Sequence, residues 1–597
     1  MKDQSPHTFH IPVMGIAYTI DTPIKVAGFG INSALSIVED NLIEVMRRVY
    51  YKQNNETYVP ITTREKDYRA KRITDYLNLI NKNVKKRLEE LRDSSFEAGS
   101  DLVKYFEMLP DGSSLKKKFL QFKTTELPEK KKLIERELRK EVKAGSIEVN
   151  IMTKVDREVS DKNGSPIPDH SDALTALKGY AKSDLENSTV IFSAGMNPRL
   201  FNYLGSFREF DAHALGEFRK KIAIKVSDFR SALIQGKYLA KKGIWVSEFR
   251  IESGLNCGGH AFATQGALMG PILEEFKNRK NELQESLFEI YNKSVSALGL
   301  NEFKKPHPIK ITAQGGIGTY EEDQFLQKYY QVDSTGWGTP FLLCPEATTV
   351  EDDTLKVLQK SKDKDVVLSE SSPLGVSFNY LKGTSAEKER LKRIAQESPG
   401  SSCPEKYLVS NTEFTKKPIC TASKKYQTLK LEQLKASQLP EADYEKRKSE
   451  VLAKECLCVG LSNSAVIQYK EKFVKNLKEV TICPGPNIAN FTKKVSLQEI
   501  IGHIYGWKNI MDRKDRPNMF AKELQLYVDY IKKQVLQHIS PDPKAVKTYE
   551  RFCDNLLEGI KYYRGLLAEN YLSNSEQFRN ILLDSEGEIS QLKKQLI

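Results

Sequence analysis

The chain has 597 residues, 39% of them hydrophobic, and a net charge of +13 from 92 basic and 79 acidic side chains. That length predicts two to four structural units, and the lack of any run of 18 apolar residues excludes a membrane-spanning helix. Eight cysteines are too few for a disulfide scaffold, and Met1 to His10 has no apolar stretch of the kind a signal peptide needs, so a reducing cytoplasm is expected. Residues 51–140 hold 22 basic and 15 acidic side chains with the signs interspersed, as in Lys85-Lys86-Arg87-Leu88-Glu89-Glu90. Mixed charge of this kind reads as solvated helix faces. Nucleic acid is therefore not expected, while an anionic substrate or an acyl-carrier partner stays open.

In chain order, residues 10–31 read as strand material, Ile11-Pro-Val-Met14 and Pro23-Ile-Lys-Val-Ala27, closed by a turn at Gly28-Phe29-Gly30. Ser36 is expected to cap a helix running through Glu39 and Leu42 to Val49. Residues 56–144 are charged, poor in glycine and helical in period, with Ile73, Tyr76, Leu77 and Ile80 on one face, which predicts a helical insertion. Strand-like runs resume at Ile147–Ile151 and recur at Thr189–Ser193, Lys221–Val226, Ile244–Val246, Ile309–Ala313 and Asp333–Gly336, with helical stretches such as Phe229–Lys242 and Met269–Ala297 between most of them. An eighth strand is expected near Asp211 to His213. Repeated strand then helix argues for a parallel sheet. With no dinucleotide fingerprint in the early units, the expected fold class is α/β, a TIM (β/α)8 barrel with a helical insertion and a mostly helical, cysteine-containing C-terminal domain. The expected units are 1–55 and 145–395 for the barrel, 56–144 for the insertion and 396–597 for the C-terminal domain, whose boundary is marked by Ser398-Pro-Gly-Ser-Ser-Cys-Pro404.

The chemistry concentrates in glycine-rich turns. Gly254-Leu-Asn-Cys-Gly-Gly-His260 and Ile311-Thr-Ala-Gln-Gly-Gly-Ile-Gly-Thr319 each follow a β-branched run, and Gly338-Thr-Pro-Phe341 ends the next strand. In a barrel, ligands sit at the C-terminal strand ends, and a phosphate is commonly held by the loops after strands seven and eight. Glycine there lets backbone amides approach the anion closely. The helix from Glu321 to Tyr330 could add its N-terminus. His260 beside such a site is a candidate base or substrate polariser, whereas His170, His213 and His307 read as structural or surface residues.

These stretches resemble the nitronate monooxygenases, formerly 2-nitropropane dioxygenases, and the flavin-type enoyl-acyl-carrier-protein reductases. Asn256-Cys-Gly-Gly-His260 is similar to the family's glycine-glycine-histidine motif, Pro308 to Ile317 to its alanine-x-glycine-glycine-isoleucine strand end, and Gly338-Thr-Pro-Phe-Leu342 with Glu346-Ala347 to its glycine-threonine turn. Pro23 to Ala27 looks like the first strand, and Val149-Asn150 and Lys225-Val226 also match. The resemblance spans residues 20–50 and 145–350. It implies a barrel binding FMN, with Gly315, Gly316, Gly338 and Thr339 on the phosphate, Gly258 and Gly259 beside it, Asn150, Gly28 and Lys225 at the flavin ring, and His260 over it. Asn256 stands where the family has an acidic residue and Ile244-Trp245 where it has an aspartate-alanine pair, so the substrate pocket departs from the pattern. Nitronate oxidation and NAD(P)H-dependent reduction of an enoyl thioester are the two implied activities. Read without the resemblance, the same glycine turns would serve a flavin-free lyase or isomerase acting on a phosphorylated metabolite, or a non-catalytic scaffold.

Five further cysteines, Cys403, Cys420, Cys456, Cys458 and Cys483, follow in the spacing C-x16-C-x35-C-x-C-x24-C. Clustered thiols in a cytoplasmic protein suggest ligands for an iron–sulfur cluster or zinc, with Cys403, Cys420, Cys456 and Cys458 as the first four and Cys483 as substitute; buried structural thiols or a redox disulfide are the other readings. The substrate, the oligomeric state and the role of the insertion stay open.

Overall fold

The computed structural model describes the whole chain except residues 1–4, 152–155, 160–166, 258–264, 473–476, 538–542, 570, 573–574 and 597. Eight parallel strands close into a barrel: β1 (Phe9–Ile11), β2 (Asn32–Ser36), β3 (Ile147–Ile151), β4 (Ser188–Phe192), β5 (Lys220–Val226), β6 (Glu248–Glu252), β7 (Lys310–Gln314) and β8 (Ser334–Gly336). Each pairs with its sequence neighbours, and β1 closes the ring by pairing β8 as well as β2, at Phe9 with Thr335 and His10 with Asn32. The expected TIM barrel is the fold.

Three strand expectations are corrected. Pro23–Ala27 lies in a helix, Thr22–Val26, and the first strand is Phe9–Ile11. A proline at the helix start, where its missing N–H costs nothing, explains the reversal. The strand expected at Ile244–Val246 is a buried loop, and β6 begins two residues later. Asp211–His213 leads into a short antiparallel hairpin outside the barrel, Ala212–Ala214 with Glu217–Phe218. The true remaining strand is β2, Asn-Ser-Ala-Leu-Ser, whose small polar residues give no β-branched signal. Glu39, not Ser36, caps the following helix Asp40–Gln53, accepting from the Asn41 and Leu42 amides.

The barrel interior is layered, as the alternation of inward side chains demands. Its lower layer is charged: the buried Arg250 guanidinium lies 2.6 Å from Glu248 and 3.2 Å from Glu148, and Thr312 donates to Glu248 at 2.6 Å. Two carboxylates on one guanidinium satisfy a charge that would be prohibitive alone.

Residues 56–144 do two things. Helix Tyr68–Asp93 buries Ile73, Tyr76, Leu77 and Ile80 against helices Asp172–Lys182 and Asp40–Gln53, so it belongs to the barrel's outer layer. The three helices between Asp101 and Glu141 gather a core of their own around Phe106, Phe119, Phe122 and Leu138. The C-terminal region is mostly helical and shares the main core, with Leu524, Tyr563 and Phe578 in one apolar cluster with Met269 and Phe276. Its residues Leu457–Leu461 and Cys483–Asn490 lie across the C-terminal strand ends, with a hairpin of β9 (Val366–Ser369) and β10 (Phe378–Leu381) beside them. No helix among the described residues is long and apolar enough to cross a membrane.

Candidate functional site

A cavity of ≈ 190 Å³ opens at the C-terminal ends of β2 to β6. Its polar wall comes from the strands: Ser36, Asn150, Ser193, Lys225, Glu252 and Asn256. The register explains the convergence, since Asn150 pairs with Ser36, and Glu252 with Gln314. Its apolar wall comes from later sequence: Leu374, Phe378, Leu408, Leu457 and Leu461, with Cys458 and Cys483. Tyr407 ties this roof to the barrel, its hydroxyl donating to Asp40 at 2.7 Å, while Arg69 and Arg72 hold the same carboxylate at 2.5 and 2.8 Å.

Glu252 organises the polar wall. It accepts from Lys225 Nζ at 3.2 Å and from Gln314 Nε2 at 2.6 Å. Burial pushes its carboxyl up, but the Lys225 ammonium with hydrogen bonds from Asn256 and Gln314 outweighs that and holds it below the usual carboxylate range. Glu252 is therefore an anion paired with a cation inside the cavity. Asn256 is 4% exposed, and its Oδ1 has no hydrogen-bond partner among the described residues. A buried acceptor without a donor, facing a cavity, is a place for a ligand N–H or O–H. Neither Glu252 nor Gln314 was singled out from the sequence, although Glu248-Phe-Arg-Ile-Glu252 alternates charged and apolar residues, the pattern of a strand with a charged inner face.

The predicted phosphate turns stand where the order of motifs placed them, after the seventh and eighth barrel strands. Gly315 and Gly316 follow β7, both at positive φ (104° and 82°), and Gly338-Thr339 follows β8. The backbone N–H groups of Gly315, Gly316, Gly338 and Thr339 find no acceptor among the described residues. That donor set suits a phosphate. The space is another matter. Thr339 Oγ1 donates to the Pro484 carbonyl at 2.7 Å, a Cβ on Gly316 would lie 2.6 Å from Leu255, and one on Gly338 would lie 3.0 Å from Cys257. The small cavity beside Gly316, ≈ 20 Å³, also meets Leu255, Pro486, Asn487 and Arg516 and has room for about one water. Arg516, at this spot, spends its charge on Glu322 at 2.7 Å and donates to the Gly316 carbonyl at 2.6 Å. The donors therefore fit an FMN phosphate, and Cys483–Asn487 with Leu255 covers them.

Of the other expected site residues, Asn150 and Lys225 line the strand-end cavity. Gly28 does not: it lies in the turn Ala27–Phe29 before β2, at the opposite end of the barrel, where the Ala27 carbonyl receives the Gly145 amide. Its placement at the flavin ring is corrected, because the expected first strand was a helix. Gly258, Gly259 and His260 lie outside the described residues. His307 is buried among Trp245, Phe218 and Phe303, and burial holds it down to about 4; His170 pairs with Asp67 at 2.5 Å.

The structure brings Cys403, Cys420, Cys456 and Cys458 into one neighbourhood, close enough for their charges to interact. Among the described residues, however, no three cysteine, histidine or acidic side chains are arranged to hold a metal ion. Cys458 and Cys483 face the cavity roof instead, and Cys257 Sγ donates to the Cys483 carbonyl at 3.4 Å.

No family model matches this sequence, and no curated protein does. Solved structures that are similar include the enoyl reductase domain of MlnA from the macrolactin cluster of Bacillus amyloliquefaciens (15% identity, TM-score 0.35, 68% of this chain and 90% of that one). FabK from Thermotoga maritima is similar over 68% of this chain and 86% of its own, at 15% identity and TM-score 0.29. A nitroalkane oxidase from Streptomyces ansochromogenes covers 64% and 84%, at 10% identity and TM-score 0.29. Likenesses this distant carry no argument about activity.

Proposed function

We propose that the chain is an FMN-dependent oxidoreductase of the kind its glycine motifs resemble. The observation that supports this most is the set of backbone N–H groups at Gly315, Gly316, Gly338 and Thr339, free of acceptors among the described residues, next to a strand-end cavity with a polar and an apolar wall. Those amides would hold the phosphate, and Asn150, Lys225 and the Asn256 Oδ1 would meet the ring system. Bound FMN supplies the acceptance and return of a hydride or electron pair.

The remaining work falls to the chain's own groups. Lys225 and Glu252 keep a fixed charge pair at the cavity wall, and the apolar roof excludes water. His260, three residues beyond Cys257, would serve as base or substrate polariser at neutral pH. Seating a phosphate requires Pro484-Gly485 to release Thr339.

Nitronate oxidation is the activity most directly implied by the motifs. NAD(P)H-dependent reduction of an enoyl thioester is the second reading, favoured by the roof of Leu374, Phe378, Leu408 and Leu461, which suits an acyl chain better than a small nitronate. Protein purified and assayed without oxygen separates them. Flavin bleached by NADPH and reoxidised by an enoyl thioester supports the reductase. Nitronate turnover with no added reductant, once oxygen is admitted as electron acceptor, supports the oxidase. Protein that carries no flavin and takes up none when FMN is added overturns both and leaves the flavin-free lyase or isomerase.

A further inference from the structure

Two loops that meet beside the cavity roof carry thiols in contact. The Ser401 amide donates to the Ala422 carbonyl at 3.0 Å and the Lys424 amide to the Ser401 carbonyl at 3.0 Å, so a parallel backbone bridge holds the two loops together. Cys403 lies two residues past this bridge and Cys420 three before it, and the two thiols share a hydrogen bond. Their environments differ: Cys403 is partly exposed, whereas Cys420 is 4% exposed. Four residues after Cys403, Tyr407 anchors the roof to Asp40.

We propose that Cys403 and Cys420 form a two-electron thiol site that closes to a disulfide on meeting a hydroperoxide. The partly exposed Cys403 sulfur is the one a hydroperoxide reaches, and the buried Cys420 sulfur resolves. The Cys403 thiolate attacks one peroxide oxygen; the S–O bond forms, the O–O bond breaks, and the departing oxygen leaves as water after taking a proton. Cys420 sulfur then attacks Cys403 sulfur; the S–S bond forms, the S–O bond breaks, and a second water leaves with the Cys420 proton. Two thiols and one hydroperoxide give a disulfide and two waters (an alcohol replaces one water for an organic hydroperoxide), and a dithiol reductant reverses the change. Cys456 stays outside the pair, because it hydrogen-bonds Ser401.

The full-length reduced protein is treated with equimolar hydrogen peroxide, blocked with iodoacetamide and digested with trypsin. The expected product is a linked pair, residues 394–406 joined to 417–424, two hydrogens lighter than their sum. Cys420→Ser is expected to leave a sulfenic acid on Cys403 that dimedone traps, and Cys403→Ser to leave Cys420 unoxidised. A link through Cys456 or Cys458, or an unoxidised Cys403, overturns the proposal. The wild-type peptide map decides the matter if either variant fails to fold.

Discussion

The two sides of the barrel's strand-end face are built on opposite terms. Over β2 to β6 the strands present Asn150, Lys225 and Glu252 to an open cavity, and the C-terminal segment stands off as an apolar roof. Over β7 and β8 the same segment comes down onto the backbone, with Pro484 on Thr339 and Leu255 on Gly316. The first side is specified by side chains and keeps an open space between strands and roof. The second is specified by main-chain amides and holds almost none. A side chain on a rigid strand keeps its place alone, whereas a turn of amides without an acceptor is completed by whatever lies over it.

The largest expected effect tests the layer beneath both sides. Arg250→Met strands Glu148 and Glu248 in the barrel interior and is predicted to destabilise the fold by about 3–5 kcal/mol in urea unfolding, irrespective of ligand. A loss under 1 kcal/mol would mean the interior charge layer does not support the strand ends.

The pH dependence separates the carboxylates around the first side. Burial raises Glu523, which accepts from the Met269 amide at 2.9 Å, to about 7. A carboxyl raised on folding favours the folded state while protonated, so its contribution is complete below the ordinary carboxylate value and is lost as pH rises through about 7, a change of a few kcal/mol. Glu252 is held low, so its contribution is present at neutral pH and lost only in acid, as pH falls through its depressed value. Unfolding free energy measured from pH 5 to 8 should therefore fall, and Glu523→Gln should flatten the curve while Glu252→Gln leaves that window unchanged.

Gly316→Ala addresses the closed side. Its φ of 82° and the nearby Leu255 make any side chain strained, at about 1–3 kcal/mol, and FMN affinity should fall at least as far. Lys225→Met addresses the open side: Glu252 loses its cation, and ring-end affinity is predicted to drop about tenfold with little change in melting temperature. Equal effects of these two variants on FMN affinity and on stability would erase the distinction between the sides.

Much of this was legible because it is periodic. The β-branched runs at Ile147–Ile151 and Lys221–Val226 gave their strands directly, and glycine pairs after such runs marked β7 and β8. β2 was missed because Asn-Ser-Ala-Leu-Ser has no β-branched residue, and its burial comes from neighbours distant in sequence. Glu252 was missed because the apolar run Ile244–Val246 drew the strand ahead of its true position, and the charged alternation of Glu248–Glu252 contains no apolar run. The roof was missed because nothing local in Leu457–Cys483 reports that it covers a cavity built some 200–400 residues earlier. Gly28 was misplaced with the misread first strand, which turned the wrong end of the barrel toward the site.

The central claim is that the amides after β7 and β8 bind a phosphate-bearing flavin once the Pro484-Gly485 strap lifts. Titration of FMN and riboflavin into flavin-stripped protein, followed by flavin fluorescence quenching, tests it most directly. The account predicts saturable binding of FMN, at least tenfold tighter than riboflavin, with that preference abolished by Gly316→Ala. Equal affinity for the two, or binding of neither, would contradict it.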